Sequence, residues 1–271
     1  MSELWSRLGF LAIALVVYRI GTHIPIPGIN PEQVAALFQQ SQGTILQYFN
    51  LFSGGALERM SIFALSVVPY ISSAIVMQLF SNSVPYLQEL KKDGQAGRNK
   101  ITQYTRYGTV IFALIQSSAL TVTLQTAGLI DAGSIFSAFV AVISIVTGTM
   151  FLMWLGEQIS ERGIGNGISI IIATSIITGV PRAFGQALEQ TQQGDLNYLL
   201  LIVLAVLTLL VVAFVVFVEN AQRKITVNYA QRNQVRGMIQ APSSFLPLKL
   251  NMSGVIPAIF ASTFLLFPAS L

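Results

Sequence analysis

Residues 199–218 read LLLIVLAVLTLLVVAFVVFV, twenty positions of which Thr208 alone is polar. A helix that is apolar on every face suits hydrocarbon, and about 20 such residues cross the core of a bilayer. The rest of the chain has the same character. Of its 271 residues, 53% are hydrophobic and 10% charged, and the mean hydropathy is +0.67, outside the balance of a soluble domain. Further apolar windows centre on 7–22, 60–80, 104–126, 135–155, 167–181 and 253–270. Together they predict seven spans, hence an all-α polytopic membrane protein.

Charge orients the bundle. With the amino terminus on the cytoplasmic side, 12 of the 15 Lys and Arg fall in or beside cytoplasmic segments, and only Arg19, Arg59 and Arg182 oppose them. Positive flanks resist translocation, so this asymmetry sets the orientation. Two of the cytoplasmic loops are expected to be long and basic. The chain has no cysteine and one histidine, which excludes disulfides, thiolate catalysis and cysteine metal sites and leaves too few ligands for a transition-metal centre. The first apolar run is followed by HIPIPGI (23–29) rather than a small-residue cleavage pattern. It is therefore expected to remain as the first span.

Polar residues sort the spans. The 199–218 window reads as a peripheral helix. The second, third and fifth windows carry Ser61, Ser66, Tyr70, Ser72, Ser73 and Gln78, then Gln116, Ser117, Ser118, Thr121 and Thr123, then Ser169, Thr174, Ser175 and Thr178. Such groups need partners or water at membrane depth, so these helices are expected to line an interior, either a tight hydrogen-bonded bundle or a wet cavity. No acidic or basic residue lies near the centre of a span, and Arg19, near a span end, can snorkel. Ion-coupled transporters keep ionisable groups at the midplane, which argues against that class. An intramembrane enzyme would need a nucleophile and a base, and no such pair is evident. The glycine-rich ERGIGNGIS (161–169) lacks the preceding strand and the lysine of a phosphate loop. It reads as a tight turn between cytoplasmic helix ends.

Residues 45–52, ILQYFNLF, precede Ser53, Gly54 and Gly55, and 56–60 leads straight into the second window. A segment this short does not span. It is either a re-entrant element pivoting at the glycines or an amphipathic helix on the outer leaflet. Pro69, inside the second window, is expected to kink it. Residues 219–250 hold five basic residues, a β-like alternation in KITVNY (224–229) and prolines at 242 and 247, which predict a projecting hairpin. Orientation alone does not require so long a loop. Arg223, Lys224, Arg232 and Arg236 are therefore candidate docking cations.

In order and over essentially the whole chain, HIPIPGI, FNLFSGGALERMSIFAL (49–65), PYISSAIVMQL (69–79), KITQYTRYGT (100–109), GTMFLMWLGEQISERGIGNGISIII (148–172), VNYAQR (227–232) and NMSGVIPAIFAS (251–262) resemble the SecY family of bacterial protein-translocation channels. The resemblance implies a SecY-type channel bundle of ten membrane helices. This chain matches the first seven, so part of a channel is expected, with 1–181 as the N-terminal half and 182–271 as the start of the C-terminal half. Also implied is a ring of aliphatic side chains between water-filled funnels, matched here by Val67, Ile71, Ile172, Ile176 and Ile259. Taken alone, such i, i+4 pairs are ordinary packing; converging on one axis, they would exclude water and ions.

Further implications concern moving parts and partners. The stretch from about 45 to 60 is similar to the family's plug, with Phe49, Phe52, Ser53, Gly54, Gly55, Ala56 and Leu57 at matching positions. Ser72 and Phe267 match the lateral gate, the seam through which a signal sequence leaves for lipid. The implied function is the central pore-forming subunit of the Sec translocon, conducting unfolded secretory polypeptides across the bacterial inner membrane and releasing membrane segments into it. No catalysis, cofactor or metal is expected. The implied partners are SecE and SecG, the SecA motor ATPase or the ribosome at the 219–250 loop, signal sequences, nascent polypeptides and membrane lipid, with no role for DNA.

Overall fold

The computed structural model describes residues 2–29, 34, 50, 53–129, 135–192, 197–227 and 244–251. Among them are seven helices and one two-stranded sheet: α1 (Ser2–Gly21), α2 (Val68–Ser83), α3 (Pro85–Lys92), α4 (Gly94–Thr126), α5 (Ile135–Arg162), α6 (Gly167–Gln192), α7 (Tyr198–Asn220), β1 (Gln222–Val227) and β2 (Ser244–Lys249). They fall into two compact units, one within Met1–Phe184 and one within Gly185–Ala258. Helices α1, α4, α5, α6 and α7 are long and apolar enough to cross a membrane, which makes this a multi-pass membrane protein. The expected span at 253–270 lies outside the described residues, as do Phe49, Phe52, Arg232, Arg236, Ile259 and Phe267.

Two expectations are corrected. The window at 60–80 is not one helix: residues 62–67 run as turns, Met60 and Ser66 have φ of 44° and 51°, and α2 begins only at Val68. Pro69 therefore lies in the first turn of α2, where a helix has no internal partner for its N–H groups and a fixed φ favours initiation. It starts the helix instead of kinking it. The basic stretch after α2 is likewise no loop, because after a break at Val84 the chain re-enters α3 and then α4. The 33 residues of α4 run about 50 Å, well beyond a hydrocarbon core of roughly 30 Å.

Close approach of small residues sets the packing of the first unit. Ser73 of α2 donates to the Thr105 carbonyl of α4 at 2.7 Å, and a β-carbon on Gly108 would collide with that serine hydroxyl. A β-carbon on Gly148 of α5 would overlap the Ile62 carbonyl, so the turn segment 53–67 lies directly on α5. Arg106 of α4 grips Glu157 of α5 through two bonds of 2.9 and 2.8 Å. The ERGIGNGIS turn is as expected: Gly165 takes φ +72°, and Ser160 of α5 accepts from the Gly167 N–H at 2.8 Å. Many of the polar residues expected to line an interior bond back along their own helix, among them Thr121 to Ser117, Thr174 to Ile170 and Thr178 to Ser175. That back-bonding satisfies a hydroxyl without a neighbour or water, while Ser73 and Ser175 reach across to other elements.

In the second unit, Asn197 caps α7 by accepting from the Leu199 N–H at 3.3 Å. The helix ends at Asn220, and β1 and β2 form the expected antiparallel hairpin, with Gln222 opposite Lys249 and Val227 opposite Ser244. The Leu250 N–H donates to the Ala221 carbonyl at 3.1 Å, and Asn251 donates to Glu219 at 2.9 Å, closing the hairpin base.

Candidate functional site

The site forms in the first unit where the glycine-interrupted segment enters the bundle. Ser53, Ala56, Leu57 and Met60 are buried, and the turn supplies its own hydrogen bonds. Ser53 Oγ donates to the Asn50 carbonyl at 3.0 Å and accepts from the Leu57 N–H at 3.2 Å. The Asn50 side chain accepts from the Glu58 N–H and donates to the Glu58 carboxylate, both at 3.1 Å. Irregular backbone is tolerated at membrane depth only when its polar groups are met in this way. Gly54 and Gly55, at φ +65° and +80°, provide left-handed backbone that residues with a β-carbon rarely adopt.

Two helices hold this turn. Tyr18 of α1 is buried; its hydroxyl meets Ser175 Oγ of α6 and lies 3.4 Å from the Ser53 carbonyl. Arg19 Nη1 donates to the Gly54 carbonyl at 3.5 Å, so Arg19 reaches toward the turn rather than simply toward the membrane surface. Tyr18 also begins a ring ladder: Phe63 stacks on it at 6.1 Å, Phe151 on Phe63 at 5.9 Å, and Trp154 tilts against Phe151 at 5.7 Å.

The aliphatic candidates divide. Val67, at the start of α2, belongs to a buried cluster with Ala14, Tyr18, Ala56, Phe63, Leu152, Leu155, Ile159 and Ile171, and Ile71 and Ile172 pack against it. Side chains from α2 and α6 thus gather beside the Ser53–Leu57 turn. Ile176 is 36% exposed and stands apart from that cluster. Leu57 enters a second cluster with Ile26, Met60, Ala64 and Ile145, so the turn straddles two apolar cores. Ser72 spends its hydroxyl on the Val68 carbonyl of its own helix.

Residues 23–29 brace the exit of the turn. Ile26 N–H donates to the Met60 carbonyl at 2.8 Å, Ile62 N–H to the Ile24 carbonyl at 3.0 Å, and Pro25 pairs with Ser61 in an isolated bridge. Arg59 approaches His23 Nε2 at 2.6 Å, and His23 Nδ1 lies 2.9 Å from the Arg19 carbonyl. A guanidinium only donates, so Nε2 is the accepting nitrogen of the Arg59 contact. Among the described residues no group of His, Asp and Glu could hold a metal ion. In the hairpin, Arg223 and Lys224 are both exposed, and successive strand residues face opposite sides.

Sequence reading missed Tyr18 as a partner of the turn. The signal available was the hydroxyl set on 167–181, which included Ser175 and Thr178 without indicating what they meet. Nothing in the composition of the first span distinguishes Tyr18 from an ordinary interfacial tyrosine.

The SecY family profile matches residues 61–271. The protein translocase subunit SecY of Pseudomonas aeruginosa is 58% identical over 271 residues, all of this chain and 61% of that protein. The SecY of Buchnera aphidicola subsp. Acyrthosiphon kondoi is 55% identical over 275 residues, covering 100% of this chain and 77% of that protein. The chain thus spans about three fifths of the length of the Pseudomonas relative. A solved SecY channel, described by its plug domain stabilising the closed state and maintaining a membrane seal, superposes with a TM-score of 0.70 over 98% of this chain and 57% of its own, at 19% identity. At that identity the likeness speaks for the fold.

Proposed function

The chain belongs to the SecY family, and from that premise we propose that it forms the pore of a bacterial inner-membrane translocon, with its amino terminus in the cytoplasm. It conducts unfolded secretory polypeptides and releases membrane segments sideways into lipid. Val67, Ile71, Ile172, Ile176 and Ile259 form the constriction, and the turn from Ser53 to Leu57, with Phe49 and Phe52, is the plug. The division into halves at 181/182 follows the same reading, with Ser72 and Phe267 at the lateral gate between them.

One observation carries this proposal: Val67 shares a buried cluster with Ala56 of the glycine turn, and Ile71 and Ile172 from two different helices pack against it. Branched apolar side chains gathered over a narrow path dewet it and block ions. They also offer a passing chain no hydrogen bond that would hold it. The channel is a passive conduit; the SecA motor or the ribosome supplies the work, docked on the cationic hairpin, and SecE and SecG complete the assembly.

The test is a cysteine at position 71 of the assembled channel, paired with a cysteine in a stalled secretory chain. A disulfide crosslink is expected. Crosslinking to a cysteine at position 207 of α7 but not to position 71 would overturn the conduit reading.

A further inference from the structure

We propose that Tyr18 is a closed-state clasp whose single hydroxyl proton is shared between α6 and the glycine turn; this rests on the pore and plug reading above. Tyr18 and Ser175 are 1% and 0% exposed. With Ser175 Oγ taken as donor to the Ile171 carbonyl of its own helix at 2.9 Å, the tyrosine supplies the proton in the Tyr18–Ser175 contact. The Ser53 carbonyl, 3.4 Å away, is a second acceptor for that same proton. One donor thus faces two acceptors on two different elements.

Those two acceptors give two arrangements. At rest the proton serves Ser175, tying α1 to α6 with the Ser53–Gly54 turn beside the joint. Ser175 lies between Ile172 and Ile176 on α6, so widening of the ring by a passing chain carries it away from Tyr18. The hydroxyl then turns to the Ser53 carbonyl and is not left unpaired in the interior, where an orphaned donor is costly. Arg19 holds the Gly54 carbonyl from the same side. The turn therefore leaves α6 first and stays with α1, from which it can reseat.

The test uses the assembled channel in planar bilayers. Tyr18→Phe removes the proton and keeps the ring; Ser175→Ala removes the acceptor. Ser175→Ala takes a bond from the closed arrangement alone and is expected to raise resting conductance about fivefold, the population shift from losing one net hydrogen bond. Tyr18→Phe takes one from each arrangement and is expected to change conductance little, with the double variant like Tyr18→Phe because no tyrosine proton remains to be shared. Deletion of 53–57 is measured alongside. If the deletion raises conductance while Ser175→Ala does not, or if Ser175→Ala raises it as much in the Tyr18→Phe background as in the parent, the clasp is wrong and the plug reading stands. If the deletion also leaves conductance unchanged, the plug reading falls and takes the clasp with it.

Discussion

Gly54 packs so tightly on Ser175 that a β-carbon at Gly54 would stand 3.1 Å from the Ser175 α-carbon, 3.2 Å from its carbonyl oxygen and 3.2 Å from Thr178 Oγ1. Two of those three atoms are backbone and cannot step aside. Gly54 also has φ +65°, a conformation that costs a residue with a β-carbon about 1–2 kcal/mol. Gly54→Ala is thus expected to shift the turn off α6 and raise resting conductance. Gly28 is the control, because it has φ +86° with nothing within 4 Å of an added β-carbon. Gly28→Ala should lower the melting temperature slightly and leave conductance alone. Equal conductance in the two variants would contradict the docked turn.

Ile71 and Ile176 separate packing from sealing. Ile71 lies against the buried cluster, whereas Ile176 is 36% exposed. An asparagine at 71 places an amide in an apolar setting at a cost of about 1–3 kcal/mol, so Ile71→Asn should both lower thermal stability and raise ion leak. Ile176→Asn should raise leak with little change in melting temperature. Both should relax discrimination between signal sequences. Unchanged bilayer conductance in both variants would remove these residues from the constriction.

Much of this architecture is legible in the chain because lipid imposes a simple rule of length and hydropathy. Residues 199–218 admit no other reading, and the alternation in 224–229 announces the hairpin. The second window misleads because SIFALSVV (61–68) is as apolar as a helix, while its backbone follows turns that Gly148 makes room for on α5. Periodicity cannot report a glycine hollow on another helix. Pro69 misleads for a different reason, since proline marks a helix start as readily as a break. The contact of Tyr18 with Ser175 joins residues 157 positions apart, and a single sequence contains no term that couples them.

Arg106 and Glu157 join α4 to α5 through a two-pronged contact, with side chains 48% and 19% exposed. Exposed pairs contribute about 0–1 kcal/mol, and the forked geometry favours the upper end of that range. A double-mutant cycle of Arg106→Ala and Glu157→Gln on thermal unfolding in detergent should give a coupling near 1 kcal/mol, shrinking as salt rises. A coupling indistinguishable from zero at low salt would make the pair incidental to the α4–α5 packing.

The hairpin supplies a sharper test of docking than its total charge. Arg223 stands opposite Leu248 and Lys224 opposite Pro247, so the two adjacent cations point to opposite faces of the two-stranded ribbon. A partner lying on one face meets one of them. Arg223→Glu and Lys224→Glu should therefore differ, one weakening motor or ribosome binding about fivefold and the other changing it little. Reversing Arg223, Lys224, Arg232 and Arg236 together should weaken binding further and flatten its dependence on salt, because attraction between opposite charges is what salt screens. An orientation signal acts while the chain inserts and has no further role once topology is set. Affinity of the inserted channel that survives all four reversals would thus return these charges to that simpler role, whereas unequal single effects with the hairpin intact point to a surface that a partner touches.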